Sequence, residues 1–256
     1  MGYIYWDSLP NVVAFTSDRN GGFSKAPYNS FNQAYQVGDD KKSVILNRTR
    51  LCADHHLALD HLITAYQQHT DIIMKVDSTM LGKGQDSFES GVGPCDALYT
   101  FESDLALGVF HADCVPVFFA SPKHHLVGII HAGKTGTLKK VVYKSLTYIM
   151  KEEHIDPKDI YVHLGPALTF SHCSLDMTPE EFIQIYGEDF LKGMKSTSGV
   201  HFLDVPLLNV IQARDAGIPS MNISSYEGCT FENEALFFSY KREKTTGRHL
   251  SVIFQK

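Results

Sequence analysis

The chain has 256 residues, 43% apolar and 20% charged, with a formal net charge of −6, the balance of an ordinary globular protein with ample core material. Its basic residues are dispersed, and the densest run, Lys241-Arg242-Glu243-Lys244, is too short to form a nucleic-acid-binding surface. A membrane role is equally poorly supported: the opening Met-Gly-Tyr-Ile-Tyr-Trp-Asp lacks the basic and apolar regions of a signal peptide, and the most apolar stretch, Leu105 to Ala120, is broken by His111, Asp113 and Pro116.

In chain order, Asn11–Thr16 reads as a strand, followed by a glycine-containing loop, Asp18–Gly22. A helix is expected from Lys42 to about His55, with Asp39 or Asp40 as its amino cap. Leu62–Tyr66 and Ile72–Val76 are expected as short strands, and Leu81–Pro94, with four glycines, as a surface loop. Ala97–Thr100, Leu105–Phe110, Val115–Ala120 and Leu126–Ile130 are apolar runs of strand length between turn signals. Thr137–Glu153 has a helical pattern, with Leu138, Val141, Val142, Leu146 and Ile149 on one face.

Further on, Ile160–Leu164 is another strand, and Thr178-Pro179-Glu180-Glu181 is a helix start with proline in the first helical position. Val205–Ala216 is a helix closed by Gly217, and strands follow near Met221–Ile223 and His249–Phe254. Neighbouring strands exclude a pure βαβ alternation, so a mixed sheet with helices outside is expected. No linker or charge block divides the chain, which predicts a single domain over residues 1–256. Five cysteines (52, 95, 114, 173 and 229), without close pairs, are the usage of a reducing compartment and read as cytoplasmic.

Three polar residues recur in one context. His69 follows Leu62–Gln68, Cys114 follows Leu105–Phe110 by a short turn, and His131 ends Leu126–Ile130; strand ends are where mixed sheets deliver side chains into a crevice. Two imidazoles and a thiolate suit zinc or copper, and three protein ligands leave a fourth position open, as a catalytic metal needs. Any one of these residues has a plainer reading, as a small buried hydrophobe or a hydrogen-bonded histidine, and no CxxC or HExxH spacing is present. The same residues also fit a metal-free hydrolase with Cys114 as nucleophile and His131 as base. His111 and His172 are expected to stand behind the ligands or to face substrate.

Asp113, beside Cys114, is expected to orient a ligand, accept a proton or cap a turn, while Asp96 reads as an isolated carboxylate. The segment from His131 through Gly133-Lys134-Thr135-Gly136-Thr137 into a helix offers backbone N–H groups to an anion, or is only a tight connection; it lacks P-loop spacing. No Gly-x-Ser-x-Gly elbow is present, which disfavours a serine hydrolase.

Taken together, ordered blocks resemble the YfiH-like, or laccase-domain, family, first named multicopper polyphenol oxidases and now grouped as purine nucleoside phosphorylases. These blocks are Thr16–Ser24, Pro27–Asn32, Val37–Asp40 with Asn47-Arg48, Gln67–Thr70, Cys95–Leu98, Ala112–Val117, His131–Gly133, Leu164–Ala167, Cys229-Thr230, Phe237–Glu243 and Thr246–Arg248. The resemblance implies an α+β fold, a four-layer α-β-β-α arrangement around mixed sheets. It also implies a catalytic metal site at His69, Cys114 and His131, holding Zn²⁺ or alternatively Cu²⁺.

The implied activity is phosphorolysis of adenosine, inosine, guanosine and methylthioadenosine, with adenosine deamination beside it. Purine nucleosides and inorganic phosphate would be the partners. Gly133 with Arg19, Arg48, Arg242 or Arg248 would hold the phosphate. The chain departs from the family pattern at Lys134-Thr135, where Trp-Arg is usual, at His111, and at Leu168–Cys173. Copper-dependent phenol oxidation, the Cys-His hydrolase or deamidase, and a non-enzymatic partner-binding role are the alternatives.

Overall fold

The computed structural model describes residues 2–256. Its strands are β1 (Tyr3–Tyr5), β2 (Val12–Ser17), β3 (Leu62–Thr64), β4 (Ile73–Lys75), β5 (Ala97–Thr100), β6 (Ala106–His111) and β7 (Val115–Ser121). These are followed by β8 (Leu126–Ala132), β9 (Tyr161–Leu164), β10 (Ser174–Leu175), β11 (Met194–Thr197), β12 (Val200–Leu203), β13 (Ile223–Ser225) and β14 (His249–Gln255). The α-helices are α1 (Lys41–Asp54), α2 (Lys134–Leu138), α3 (Val141–Glu152), α4 (Pro179–Tyr186), α5 (Val205–Asp215) and α6 (Tyr240–Glu243).

Two mixed sheets stack face to face. One has the order β1-β2-β14-β6-β3, the other β13-β9-β7-β8-β5-β4, and a small sheet β10-β12-β11 stands apart. Alternation along the strands sorts the core. In β6, Leu107 and Val109 turn to the inter-sheet layer with Phe118, Ile129 and Ile253, whereas Ala106 and Phe110 turn outward. The outer face of the five-stranded sheet is covered by α1, whose buried stripe Val44, Asn47, Arg48, Leu51 and Cys52 follows helical spacing. The outer face of the six-stranded sheet is covered by α3 and α5, through Val142, Leu146, Ile149, Leu208 and Ala213. The result is the α-β-β-α stack that the family resemblance implies, with helices outside mixed sheets as the pattern of elements predicts.

Local chemistry sets the boundaries. Asp40 caps α1, its carboxylate accepting the Ser43 N–H at 3.0 Å. Thr178 and Glu181 form a reciprocal capping box at α4. The single helix expected over Thr137–Glu153 is instead two, because Lys140 adopts a left-handed conformation (φ +63°) between α2 and α3.

Leu81–Pro94 differs from a plain surface loop. It folds along β3, with Thr64 N–H donating to Lys83 O at 3.2 Å and Tyr66 N–H to Val92 O at 2.7 Å, and so covers that edge. Strand β1, the β11–β12 hairpin turning at Ser198-Gly199 (φ +52° and +78°), and α6 had no counterpart in the sequence pattern. No helix among the described residues is long and apolar enough to cross a membrane.

Candidate active site

Strand register brings the chemistry together. In the β7–β8 ladder Pro116 lies opposite His131, so two-residue alternation puts Cys114 on the His131 face, diagonal to it and across from Gly133. In the β5–β8 ladder Ala97 lies opposite Ile130, which sets Asp96 beside His131; the His131 N–H donates to Asp96 O at 2.7 Å. His69 comes from the other sheet, on the segment leaving β3. Gln67 carries that segment, its side chain donating to Phe110 O at 2.8 Å and accepting from Phe110 N–H at 2.7 Å, like one more rung of the ladder.

Asp96 joins the two sheets. It is fully buried, and its Oδ2 accepts from the Thr70 N–H at 2.6 Å, the Thr70 hydroxyl at 2.9 Å and the Gln68 N–H at 3.2 Å. Its Oδ1 lies 2.8 Å from His131 Nδ1. That bond fixes the His131 ring and leaves Nε2 for a ligand, the arrangement by which carboxylates orient metal-binding histidines. In the sequence Asp96 reads as an isolated carboxylate, and its one local signal is that it precedes the strand of Ala97–Thr100 as Cys114 precedes that of Val115–Ala120.

The donor atoms of His69, Cys114 and His131 lie within 4.8 Å of one another. The His69 and His131 rings meet edge to face, with centroids 5.1 Å apart. Burial opposes ionisation of the Cys114 thiol, but the adjacent His131 and His69 outweigh it and hold the thiol below its ordinary range. Burial likewise opposes charge on His131, and the Cys114 and Asp96 partners reverse the sign, raising its pKa. Two imidazoles and a readily ionised thiol, one imidazole already oriented, make a donor set that fits zinc or copper.

The glycine at 133 is required by packing. A Cβ there would lie 2.7 Å from Cys114 Sγ and 3.2 Å from His69 Cδ2. Gly133→Ala is therefore expected to push the thiol and ring apart at a cost of about 1–3 kcal/mol, lowering zinc affinity roughly tenfold or more. Zinc titration of the variant against a chromogenic chelator checks this; unchanged affinity would refute the packing argument.

The three residues open onto a cavity of about 500 Å³, a size suited to a small ligand. Its walls include Phe88, Phe110 and Tyr240, with His111 and Arg248 among the polar groups. His111 is 2% exposed; Nε2 lies 2.8 Å from Ser251 Oγ, and Nδ1 has no partner. Burial and the neighbouring His249 hold its pKa well below the ordinary value, so the ring is neutral.

Of the four arginines the sequence offered for phosphate, Arg248 alone lines this cavity among the described residues. It spends one terminal nitrogen on Thr246 O and Gly247 O, at 2.9 and 3.1 Å. Arg19 is tied to Glu243 at 2.9 Å, and Arg242 to Thr230 O, Phe231 O, Phe237 O and Glu243. Arg48 is buried behind Phe110, 4.9 Å from its ring centre, and donates to Gln33 O and Gly84 O. These three are engaged in holding the chain together.

Of the two readings of the Gly133–Thr137 segment, the structure shows the tight connection, with β8 ending at Ala132 and Gly133 leading directly into a helix. That helix is the five-residue α2, and the Thr137 N–H is spent on Gly133 O at 2.8 Å. Asp113, at a strained left-handed position (φ +93°), has both oxygens occupied. Oδ1 accepts the Thr230 hydroxyl at 2.7 Å and Oδ2 the Lys241 N–H at 2.6 Å. His172 lies apart from this cavity, paired with Glu232 at 3.0 Å.

A family model described as multi-copper polyphenol oxidoreductase laccase matches residues 13–256, and the chain belongs to that family. Among its relatives, the purine nucleoside phosphorylase YlmD of Geobacillus stearothermophilus is 36% identical over 245 residues, 94% of this chain and 89% of that protein. The purine nucleoside phosphorylase SSP1584 of Staphylococcus saprophyticus is 32% identical over 250 residues, 96% of this chain and 93% of that protein. Among solved structures, the Bacillus licheniformis hypothetical protein YfiH superposes with a TM-score of 0.94 at 30% identity, covering 100% of this chain and 97% of that one. The crystal structure of Geobacillus stearothermophilus YlmD gives the same TM-score and coverage at 33% identity.

Proposed function

We propose that this chain is a metal-dependent purine nucleoside phosphorylase that also deaminates adenosine at the same His69-Cys114-His131 site. The observation that carries the reading is the convergence of these three donors on an aromatic-walled cavity containing one arginine, in a chain whose relatives bear that name. The substrates are adenosine, inosine, guanosine and methylthioadenosine, with inorganic phosphate as co-substrate.

In phosphorolysis a phosphate oxygen forms a bond to C1′ as the C1′–N9 bond breaks, and the departing base takes up a proton. Phe88, Phe110 and Tyr240 provide flat apolar surfaces for the purine. Arg248 has nitrogens left to grip phosphate, its guanidinium kept near the Tyr240 ring at 5.4 Å. His111, neutral and held by Ser251, forms part of the wall beside the base. Asp113 takes a positioning role, fastening Thr230 and the start of α6 beside Cys114. A zinc ion held by His69, Cys114 and His131 would supply Lewis-acid polarisation and activation of water, the chemistry that deamination at C6 of adenine requires.

The test is purified protein with adenosine, with and without phosphate, following adenine, inosine and hypoxanthine by chromatography. Phosphate-dependent adenine is expected, together with some inosine independent of phosphate. Arg248→Met is expected to raise the phosphate KM about 10- to 100-fold, the worth of a charge-assisted contact of roughly 1.5–3 kcal/mol, and to change deamination far less. No product from folded, zinc-replete protein would refute the nucleoside reading.

One observation favours a second reading. Cys114, His131 and Asp96 stand in the order nucleophile, base and orienting carboxylate, with the thiol pushed toward its anion. A metal-free Cys-His hydrolase would keep its activity after chelation and lose it to iodoacetamide, whereas the metal enzyme would lose activity to the chelator.

A further inference from the structure

We propose that His172, Cys229 and Glu232 form a second metal site that takes a divalent cation of the zinc class, its fourth position left to water and its role to brace the chain. Their donor atoms lie within 4.8 Å of one another. Tetrahedral zinc, with bonds of about 2.0 Å to nitrogen and about 2.3 Å to sulfur, spaces its donors roughly 3.3–3.8 Å apart, so small side-chain movements close the set. His172 Nε2 and Glu232 Oε1 are already 3.0 Å apart.

Each corner arrives from an ordered position. Cys229 is 3% exposed, sits on a parallel bridge to Ala167, and its sulfur accepts the Thr169 N–H at 3.4 Å. The Asn233 N–H donates to Cys229 O at 3.1 Å, closing a helical turn that brings residues 229 and 232 to one side. His172 ends a short 3-10 turn, and its ring stacks on Phe231 at 4.0 Å with an interplanar angle of 19°, which sets the imidazole plane. An exposed His–Glu pair is by itself a weak surface feature. What distinguishes this one is a buried sulfur at the third corner, a soft donor of no use to magnesium or calcium.

Binding exchanges the thiol proton for the cation and releases that proton to solvent. The side chains do not line the active-site cavity, so the cation braces and does not react. Thr230 lies between two of the ligands and donates its hydroxyl to Asp113 at 2.7 Å, so the brace reaches the residue that precedes Cys114.

The experiment compares zinc content by mass spectrometry after loading and desalting. The parent chain is expected to retain one more zinc per molecule than His172→Ala. Because the reading is a difference, it holds whatever the occupancy at His69, Cys114 and His131. In Co²⁺-loaded Cys114→Ala, which lacks the sulfur of the first site, a near-ultraviolet thiolate-to-cobalt band is expected to persist and to vanish when Cys229→Ser is added. Equal zinc in the parent and His172→Ala proteins, or a band insensitive to Cys229→Ser, would overturn the proposal. Should Cys114→Ala fail to fold, the zinc count alone decides.

Discussion

Cys114→Ala is expected to reduce phosphorolysis at least about 10³-fold while shifting the melting temperature by only a few degrees. The thiol is shut off from bulk water by its neighbours, yet the residue keeps some exposure and lines the cavity, so truncating one sulfur removes little packing. What it removes is the only anionic donor of the trio. Two neutral imidazoles bind zinc far less well than two imidazoles and a thiolate, and electrostatic activation by a bound metal is worth several kcal/mol in the transition state. Initial rates with adenosine and phosphate, beside a thermal melt of the same sample, separate the effects. Activity within tenfold of the parent would remove Cys114 from the chemistry.

Asp96→Asn is expected to do comparable damage by a different route, and to affect folding as well. Oδ2 accepts three hydrogen bonds from Gln68 and Thr70, so the amide oxygen of asparagine must face them. The amide nitrogen then faces His131 Nδ1, which can only accept, and the ring carries its proton on Nε2, the nitrogen that should serve as donor to the metal. A loss of 10- to 100-fold or more in zinc affinity, with activity falling in parallel, is the expected outcome.

The stability effect has a definite sign. Burial raises the Asp96 pKa, but the hydrogen bond and charge of His131 and the Thr70 donors overcome it, and the net shift is downward. A carboxyl depressed on folding contributes stability that is complete above the unfolded pKa of about 4 and is lost as pH falls through the lower folded value. The parent should therefore lose stability in acid over that window, and Asp96→Asn should show a flatter profile from a lower plateau. Breaking such a buried pair costs about 3–5 kcal/mol. Denaturant melts from pH 7 down to pH 3 test both parts, and identical profiles would refute the linkage.

Much of this was legible in the sequence because strands and strand ends carry local signals. Cys114 and His131 were visible as polar residues where apolar runs stop, and Gly217, Asp40 and Pro179 announced helix boundaries that the fold keeps. Asp96 was not, because its importance comes from facing His131 across β5 and β8, and register between strands some 30 residues apart has no local signature. The same holds for the arginines. Composition cannot tell Arg248, beside the cavity, from Arg19 or Arg242, whose terminal nitrogens go to carbonyl groups that only the folded chain brings to them. The break at Lys140 leaves no mark in the sequence because apolar spacing runs on through it while the backbone alone changes hand.

The position of β14 has a consequence for how the molecule assembles. It enters the five-stranded sheet between β2 and β6, and its Ser251 bonds Thr16 across 235 residues of sequence. Until residues 249–255 arrive, β2 and β6 each present an unsatisfied edge, and pairing so remote in sequence is slow to form. Arg248 and the Ser251 hydroxyl that steadies His111 arrive with the same strand. A nascent chain lacking this strand is thus both sticky and catalytically incomplete, and truncation before residue 248 should leave an aggregating polypeptide and no partially active enzyme.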